Sequence, residues 1–175
     1  MTTVEYLLTE ETNRPGELAR GMVREPASPF FSHQELVFRM ARLLHDHVDP
    51  RNLGRVAIAP LDVVLDAEAA LVVQPDVLFV STPRLAIIQN QVWGAPDLVV
   101  EVLSASTDRH DRIEKVGWYR QYGVRECWLI DLHAEAILVL DFSGATPQQR
   151  LSRGRDIARS TILPEFQTTP MAVFA

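Results

Sequence analysis

The order of helical and strand-like segments constrains the fold of this chain more than any other feature. Apolar residues recur at helical spacing from the run Ser32-His-Gln-Glu35, which has capping-box spacing, to the position before Pro50. A second helical segment covers about residues 108–122 and ends at Gly123. Segments rich in Val, Ile and Leu, typical of strands, cover residues 55–64, 72–80, 97–103, 126–131 and 136–142, with a hairpin turn at 132–135. This order predicts an α/β fold in which a mixed β-sheet is flanked by helices.

Length and composition predict an ordinary globular protein. The chain has 175 residues, close to one average domain, so we expect residues 1–175 to form a single domain. Hydrophobic residues make up 47% and charged residues 23%, which excludes disordered and fibrous classes. No apolar run approaches the ~18 residues of a membrane span, and the first residues lack a signal-peptide pattern, so we expect a cytoplasmic location. The single cysteine, Cys127, cannot form an internal disulfide or build a cysteine-based zinc site.

The net charge argues against general binding of nucleic acid, but two local features of the charged residues point to possible function. A net charge of −6 makes the chain a poor general binder of polyanions, so any contact with nucleic acid must be local. One local positive excess lies between Arg150 and Arg159, and it fits either a solvated turn or a phosphate-binding stripe. Lys115 is the only lysine among 17 basic residues. Because arginine cannot replace lysine where a compact ammonium is needed, Lys115 is a candidate functional group.

Two strand segments carry a carboxylate where the pattern requires an apolar side chain. Alternation in residues 97–103 places Glu101 on one face with Val99 and Leu103. A buried carboxylate is costly unless it is protonated, paired with a cation or bound to a metal. Asp76, nearer the start of its strand, poses the same problem. Either acid alone fits a structural ion pair or an exposed edge position.

Taken together, Asp76 and Glu101 favour a shared divalent cation. Their sequence separation of 25 residues allows a strand, a turn and a return strand that brings them side by side. Carboxylate oxygens suit Mg²⁺ or Mn²⁺ better than zinc. Asp97 is the competing acid, but it lies on the same strand as Glu101, roughly 13 Å away at about 3.3 Å per residue. That distance is too long for a shared ion.

Lys115 lies on the second helical segment, in a row with Asp111 and Tyr119 at intervals of four residues. Taken alone, this row favours a solvated Asp–Lys pair. The helix begins soon after Glu101, however, so its first turns can fold back over the strand end and bring an ammonium to a metal-bound phosphate. His33, beside the capping serine, is interpreted as a local hydrogen-bonding residue rather than a ligand.

These residues carry a family resemblance. The chain resembles the Uma2 family of restriction endonucleases, a branch of the PD-(D/E)XK nuclease superfamily. The matching motifs are Pro75-Asp76-Val77, Asp97-Leu-Val-Val-Glu101-Val-Leu-Ser104, Ser106-Thr107, Asp111-xxx-Lys115-xxx-Tyr119 and Gly123-Val-Arg-Glu126-Cys-Trp128-Leu-Ile-Asp131. Further matches are Glu17 in Gly16-Glu-Leu with Gly21, His33-Gln34 and Leu163-Pro-Glu-Phe166, so the similarity spans most of the chain.

The resemblance implies a restriction-endonuclease-like core in which Asp76 and Glu101 bind Mg²⁺ or Mn²⁺ and Glu17 is a further ligand or orients one. It implies an endonuclease that cuts DNA, most simply double-stranded DNA, and by analogy a homodimer. The superfamily lysine normally follows the glutamate by two residues, but Leu103 stands there, and the family pattern places the lysine on the next helix, as Lys115. The sequence differs from the family pattern at two other positions, with Ala105 in place of a usual proline and Glu165 in place of a common glycine. Neither position belongs to the predicted site.

A second hypothesis is a nuclease-like module that binds nucleic acid or a protein partner without cutting it. The acidic net charge favours this alternative. The mid-strand carboxylates argue against this binding module, because a domain that catalyses no reaction has no evident use for acids within its strands. Other hydrolase classes are weak alternatives, since the chain has no Gly-x-Ser-x-Gly elbow, no phosphate-binding glycine-rich loop and no His-Glu-x-x-His.

Overall fold

The computed structural model describes residues 1–9, 16–25, 28–103 and 109–175, with only the backbone described at 109–112. The helices are α1 (Thr3–Leu7), α2 (Phe31–Val48), α3 (Arg109–Tyr122) and α4 (Pro170–Phe174). The strands are β1 (Glu17–Ala19), β2 (Met22–Arg24), β3 (Gly54–Ile58), β4 (Val63–Asp66), β5 (Leu71–Val73), β6 (Val77–Ser81), β7 (Val92–Trp93), β8 (Leu98–Leu103), β9 (Glu126–Asp131), β10 (Ala136–Asp141), β11 (Gln148–Arg153), β12 (Ala158–Arg159) and β13 (Gln167–Thr168).

Most of these strands form two sheets. The larger has six strands in the order β11-β10-β9-β8-β6-β3, and the smaller has five in the order β2-β1-β5-β4-β7. Strands β8 and β9, which α3 connects, pair in parallel, whereas the other pairs of the larger sheet are antiparallel. A mixed sheet of this kind, flanked by helices, confirms the predicted fold class.

The larger sheet is buried on both faces because its central strands alternate between two cores. Val100 of β8 packs with α2, whose Met40 and Leu44 are fully buried. Val99, on the opposite face of β8, packs in a second core with Tyr119 of α3 and with strands of the smaller sheet. Strand β8 therefore lies at the centre of the molecule, and Glu101 lies within this buried strand.

The sequence predicted two strands where the structure has four. Residues 55–64 form β3 and β4, and residues 72–80 form β5 and β6, with each pair divided between the two sheets. A proline lies in each break, Pro60 in the first and Pro75 in the second. Proline has no N–H to donate to a sheet ladder, so the chain leaves one sheet there and enters the other.

The predicted helices have the expected extents, but the predicted capping box does not form. Phe30 is the N-cap of α2 and makes no side-chain capping bond, so Ser32 lies inside the first turn. The start of the second predicted helix at residue 108 lies outside the described residues, and α3 is described from Arg109. The predicted turn at 132–135 is confirmed, and the Asp131 carboxylate accepts hydrogen bonds from the N–H groups of His133 and Ala134 there.

Among the described residues, no helix is both long and apolar enough to cross a membrane.

Candidate active site

The pairing of β6 with β8 brings Asp76 and Glu101 together. Val77 pairs with Val100 in this antiparallel ladder. Asp76 precedes Val77 and Glu101 follows Val100, so the same register places the two acids opposite each other. Asp76 is fixed to β8 directly, because its Oδ2 accepts a hydrogen bond of 2.7 Å from the backbone N–H of Val102. Both carboxylates are largely buried, with side chains 18% and 13% exposed.

Lys115 reaches this pair from α3. Its Nζ lies 2.9 Å from Oε1 of Glu101 and 2.8 Å from Oε1 of Glu17. One turn further along α3, the Tyr119 hydroxyl donates a hydrogen bond to the same Glu101 oxygen. The structure thus brings together all four residues that the sequence singled out for the site: Glu17, Asp76, Glu101 and Lys115.

Glu17 comes from the smaller sheet. It begins β1, and β1 pairs with β5 so that the residue after β5, Gln74, lies beside it. Oε1 of Glu17 accepts a 2.9 Å hydrogen bond from the Gln74 N–H. The Gln74 side chain in turn donates to Asp62 at 2.9 Å and accepts from the Gly16 N–H at 3.1 Å. These bonds hold the start of β1 against the end of β5 and so fix Glu17 beside Lys115.

His33 is a site neighbour that the sequence interpretation did not place there. It lies in the first turn of α2, and its Nε2 is 3.4 Å from Oδ2 of Asp76. Its other ring nitrogen, Nδ1, is buried and has no hydrogen-bond partner among the described residues. The family match at His33-Gln34 was the available signal. Tyr119 had a clearer signal, since it shares a helical row with Lys115, whereas the side chain of Asp111 in that row lies outside the described part of the chain.

The site carries an excess of negative charge. Burial raises the pKa of the Glu101 carboxyl to about 7; the Lys115 ammonium opposes this shift, and the Asp76 and Glu17 carboxylates add to it. Burial by itself lowers the pKa of Lys115, but the neighbouring Glu101 and Glu17 carboxylates outweigh burial and raise it, so Lys115 stays protonated. Burial also raises the pKa of the Tyr119 hydroxyl, which therefore remains a neutral hydrogen-bond donor.

Asp76 and Glu101 fit a hard divalent cation. Their interactions with the described residues use Oδ2 of Asp76 and Oε1 of Glu101, so Oδ1 and Oε2 are the oxygens that remain for an ion. Burial and the neighbouring acids raise the pKa of Glu101 in the metal-free protein, so a bound cation would favour its ionised form. Within the described part of the chain, no group of three or more His, Cys, Asp and Glu side chains is placed to hold a metal ion. Two carboxylates with water completing the shell suit Mg²⁺, which usually keeps several waters.

Asp97 has a different environment at the other end of β8. It is fully buried, and its Oδ2 accepts a 2.8 Å hydrogen bond from the Ser81 N–H. Its Oδ1 lies 3.0 Å from the Arg84 guanidinium and 3.5 Å from that of Arg125. Burial raises the pKa of Asp97, but the Ser81 hydrogen bonds and Arg84 outweigh it and lower the pKa overall. Asp97 is therefore a structural acid that anchors the strand.

A mixed sheet flanked by helices, with two acids at facing strand positions and a lysine between neighbouring carboxylates, is a restriction-endonuclease-like arrangement. A solved structure has this fold: the crystal structure of a "putative nuclease belonging to DUF820" from Anabaena variabilis ATCC 29413 superposes with a TM-score of 0.83, covering 99% of this chain and 97% of that one at 18% identity. That likeness concerns the fold alone.

Sequence comparison identifies the family. Residues 4–173 match Uma2, described as "Putative restriction endonuclease", and the chain belongs to this family. It is also 28% identical over 134 residues to the uncharacterized protein sll1609 of Synechocystis sp., covering 75% of each chain.

Proposed function

We propose that the protein is a Mg²⁺- or Mn²⁺-dependent endonuclease that hydrolyses phosphodiester bonds in DNA. The observation that carries the proposal is the position of the Lys115 ammonium, 2.9 Å from Glu101, which faces Asp76 across the β6–β8 ladder. Two acids for a cation and one amine for a phosphate are the groups that metal-assisted phosphodiester hydrolysis requires. Membership of the Uma2 family supports the nuclease class.

In this proposal Asp76 and Glu101 hold the cation, with Glu17 as the third acid predicted for the metal site. A bound Mg²⁺ supplies an activated water and neutralises charge on the scissile phosphate. In the metal-free protein the neighbouring carboxylates raise the pKa of Lys115 and keep it protonated, so its ammonium is a hydrogen-bond donor. Its ammonium orients the attacking oxygen and stabilises the negative charge that develops on the phosphate.

Two neighbours hold the acids in place. Tyr119 donates to Glu101 from a fully buried position, which restricts the rotamer of that carboxylate. Val102 does the same for Asp76 through its backbone N–H, and His33 lies next to the same Asp76 oxygen. Outer contacts of this kind keep ligand oxygens in the geometry that a cation requires.

The proposed substrate is double-stranded DNA and the proposed assembly is a homodimer in the cytoplasm, because two copies of a small nuclease can act on both strands of a duplex. The net charge of −6 requires that contact with the phosphate backbone be confined to local positive groups.

Plasmid cleavage with Mn²⁺ tests the proposal. We expect wild type to nick or linearise the plasmid, and Asp76→Asn, Glu101→Gln and Lys115→Met each to lose about 100-fold or more in rate. Glu68→Gln is the matched control, since Glu68 is an exposed acid away from the site. Equal cleavage by all variants would identify a contaminating nuclease.

The acidic net charge favours a second function, a nuclease-like module that binds nucleic acid or protein without cutting it. A wild-type protein that binds DNA in a gel-shift assay, yet leaves DNA and RNA intact with Mg²⁺ and Mn²⁺, would establish this alternative and refute the enzyme.

A further inference from the structure

The ion pairs at the site are not shared equally among its three acids. The Lys115 ammonium lies within 3 Å of one oxygen each of Glu17 and Glu101, at 2.8 and 2.9 Å. It therefore stands between those two carboxylates. Asp76 makes no ion pair with Lys115, and the polar contacts of its carboxylate in the described part of the chain are with the Val102 N–H and His33.

We infer that the Lys115 ammonium occupies the position of a second cation, so that the site takes one divalent ion, at Asp76 and Glu101, and Glu17 positions Lys115 instead of binding metal. This inference rests on the proposed metal-dependent function and gives Glu17 a different role within it. The ammonium is a permanent part of the chain, and its charge takes the place that a second metal ion would have between Glu17 and Glu101.

The Glu17 oxygen that faces Lys115 already accepts two hydrogen bonds. Oε1 accepts from the Lys115 ammonium at 2.8 Å and from the Gln74 N–H at 2.9 Å. A divalent ion that bound this oxygen would have to displace the Lys115 ammonium or the Gln74 N–H from it. Displacing Lys115 would in turn leave a buried ammonium without its partners, which is strongly unfavourable.

The backbone also separates the two roles. Asp76 and Glu101 belong to neighbouring strands of the larger sheet, so the ladder fixes their spacing. Glu17 belongs to the smaller sheet and is held there by Gln74, whose side chain bonds to Asp62 and Gly16. These bonds fix Glu17 in the position that keeps the Lys115 side chain directed at Glu101. Glu17 is thus a positioning residue that acts through Lys115.

Counting bound Mn²⁺ tests the inference without measuring activity. Titration at pH 7.5, followed by electron paramagnetic resonance of free Mn²⁺ and by calorimetry, should give one ion per wild-type chain. Lys115→Met, purified in Mn²⁺, should bind two ions, because the ammonium no longer fills the second position. Lys115→Arg keeps the positive charge and should bind one. Asp76→Asn should bind none, which separates the site from weak binding at surface acids.

The Glu17→Gln variant is a second test of the role of Glu17, and this test does not depend on the folding of the Lys115 variants. It should still bind one Mn²⁺, with Kd changed by less than about 3-fold, while the rate of DNA cleavage falls by about 10- to 100-fold. Two ions in wild type, one ion in a folded Lys115→Met, or loss of Mn²⁺ from Glu17→Gln would each overturn the inference while leaving a metal-dependent nuclease intact. No ion in wild type would overturn the proposed metal site itself.

Discussion

Glu101 should make the metal-free protein less stable as the pH rises from 4.5 to about 7. Its carboxyl has a pKa of about 7 in the folded protein, compared with an ordinary value of 4.5, because of burial and the neighbouring acids. Between these two values the folded state holds a proton that the unfolded state has lost. Stability therefore falls with rising pH, by about 1.4 kcal/mol per pH unit for one proton. Over the interval between the two pKa values the loss amounts to about 3 kcal/mol.

The Glu101→Gln variant isolates this contribution, because glutamine does not titrate while the other acids of the protein still do. We expect the free energy of unfolding of Glu101→Gln, minus that of wild type, to rise by about 3 kcal/mol between pH 4.5 and pH 7.5. Urea denaturation in EDTA, followed by tryptophan fluorescence, measures it, and Trp128 is a suitable probe because it is fully buried. Glu68→Gln, which removes an exposed carboxylate, is the control for the loss of an acid as such. A difference for Glu101→Gln that does not change with pH would refute the raised pKa of its carboxyl.

Three further outcomes are expected. Mg²⁺ at about 100 times its Kd should stabilise wild type by about 2.7 kcal/mol and raise Tm by about 5 to 10 °C in a thermal scan, whereas Asp76→Asn should show no such rise. Tyr119→Phe removes the buried donor to Glu101, so urea denaturation should show a loss of about 1 kcal/mol and plasmid assays a slower rate, and unchanged values in both would contradict the contact. Met40→Ala should cost about 2 to 5 kcal/mol because Met40 is fully buried, while Phe38→Ala on the exposed side of α2, where Phe38 is 64% exposed, should cost far less.

The elements that the sequence predicted correctly share a local signal. The buried stripe of α2 is visible because Met40 and Leu44 recur at helical spacing, and the strand β8 is visible because aliphatic residues surround Glu101. The two wrong strand predictions also have a local cause. Two strand predictions ran through Pro60 and Pro75, where the chain changes sheets, since apolar residues continue on both sides of each proline. A run of apolar residues predicts that a strand is buried, but it does not predict to which sheet the strand belongs.

The residue types of the site were likewise evident from the sequence, because an acid in an apolar strand and a single lysine are unusual wherever they occur. Their arrangement was not. Strand register decided that Asp76 faces Glu101, and the pairing of β1 with β5 in a separate sheet decided that Glu17 meets Lys115. The raised pKa of Glu101 and the approach of His33 to Asp76 depend on charges brought together from distant parts of the chain. Local composition specifies which groups are present, whereas burial and electrostatic coupling depend on distances that only the folded chain defines.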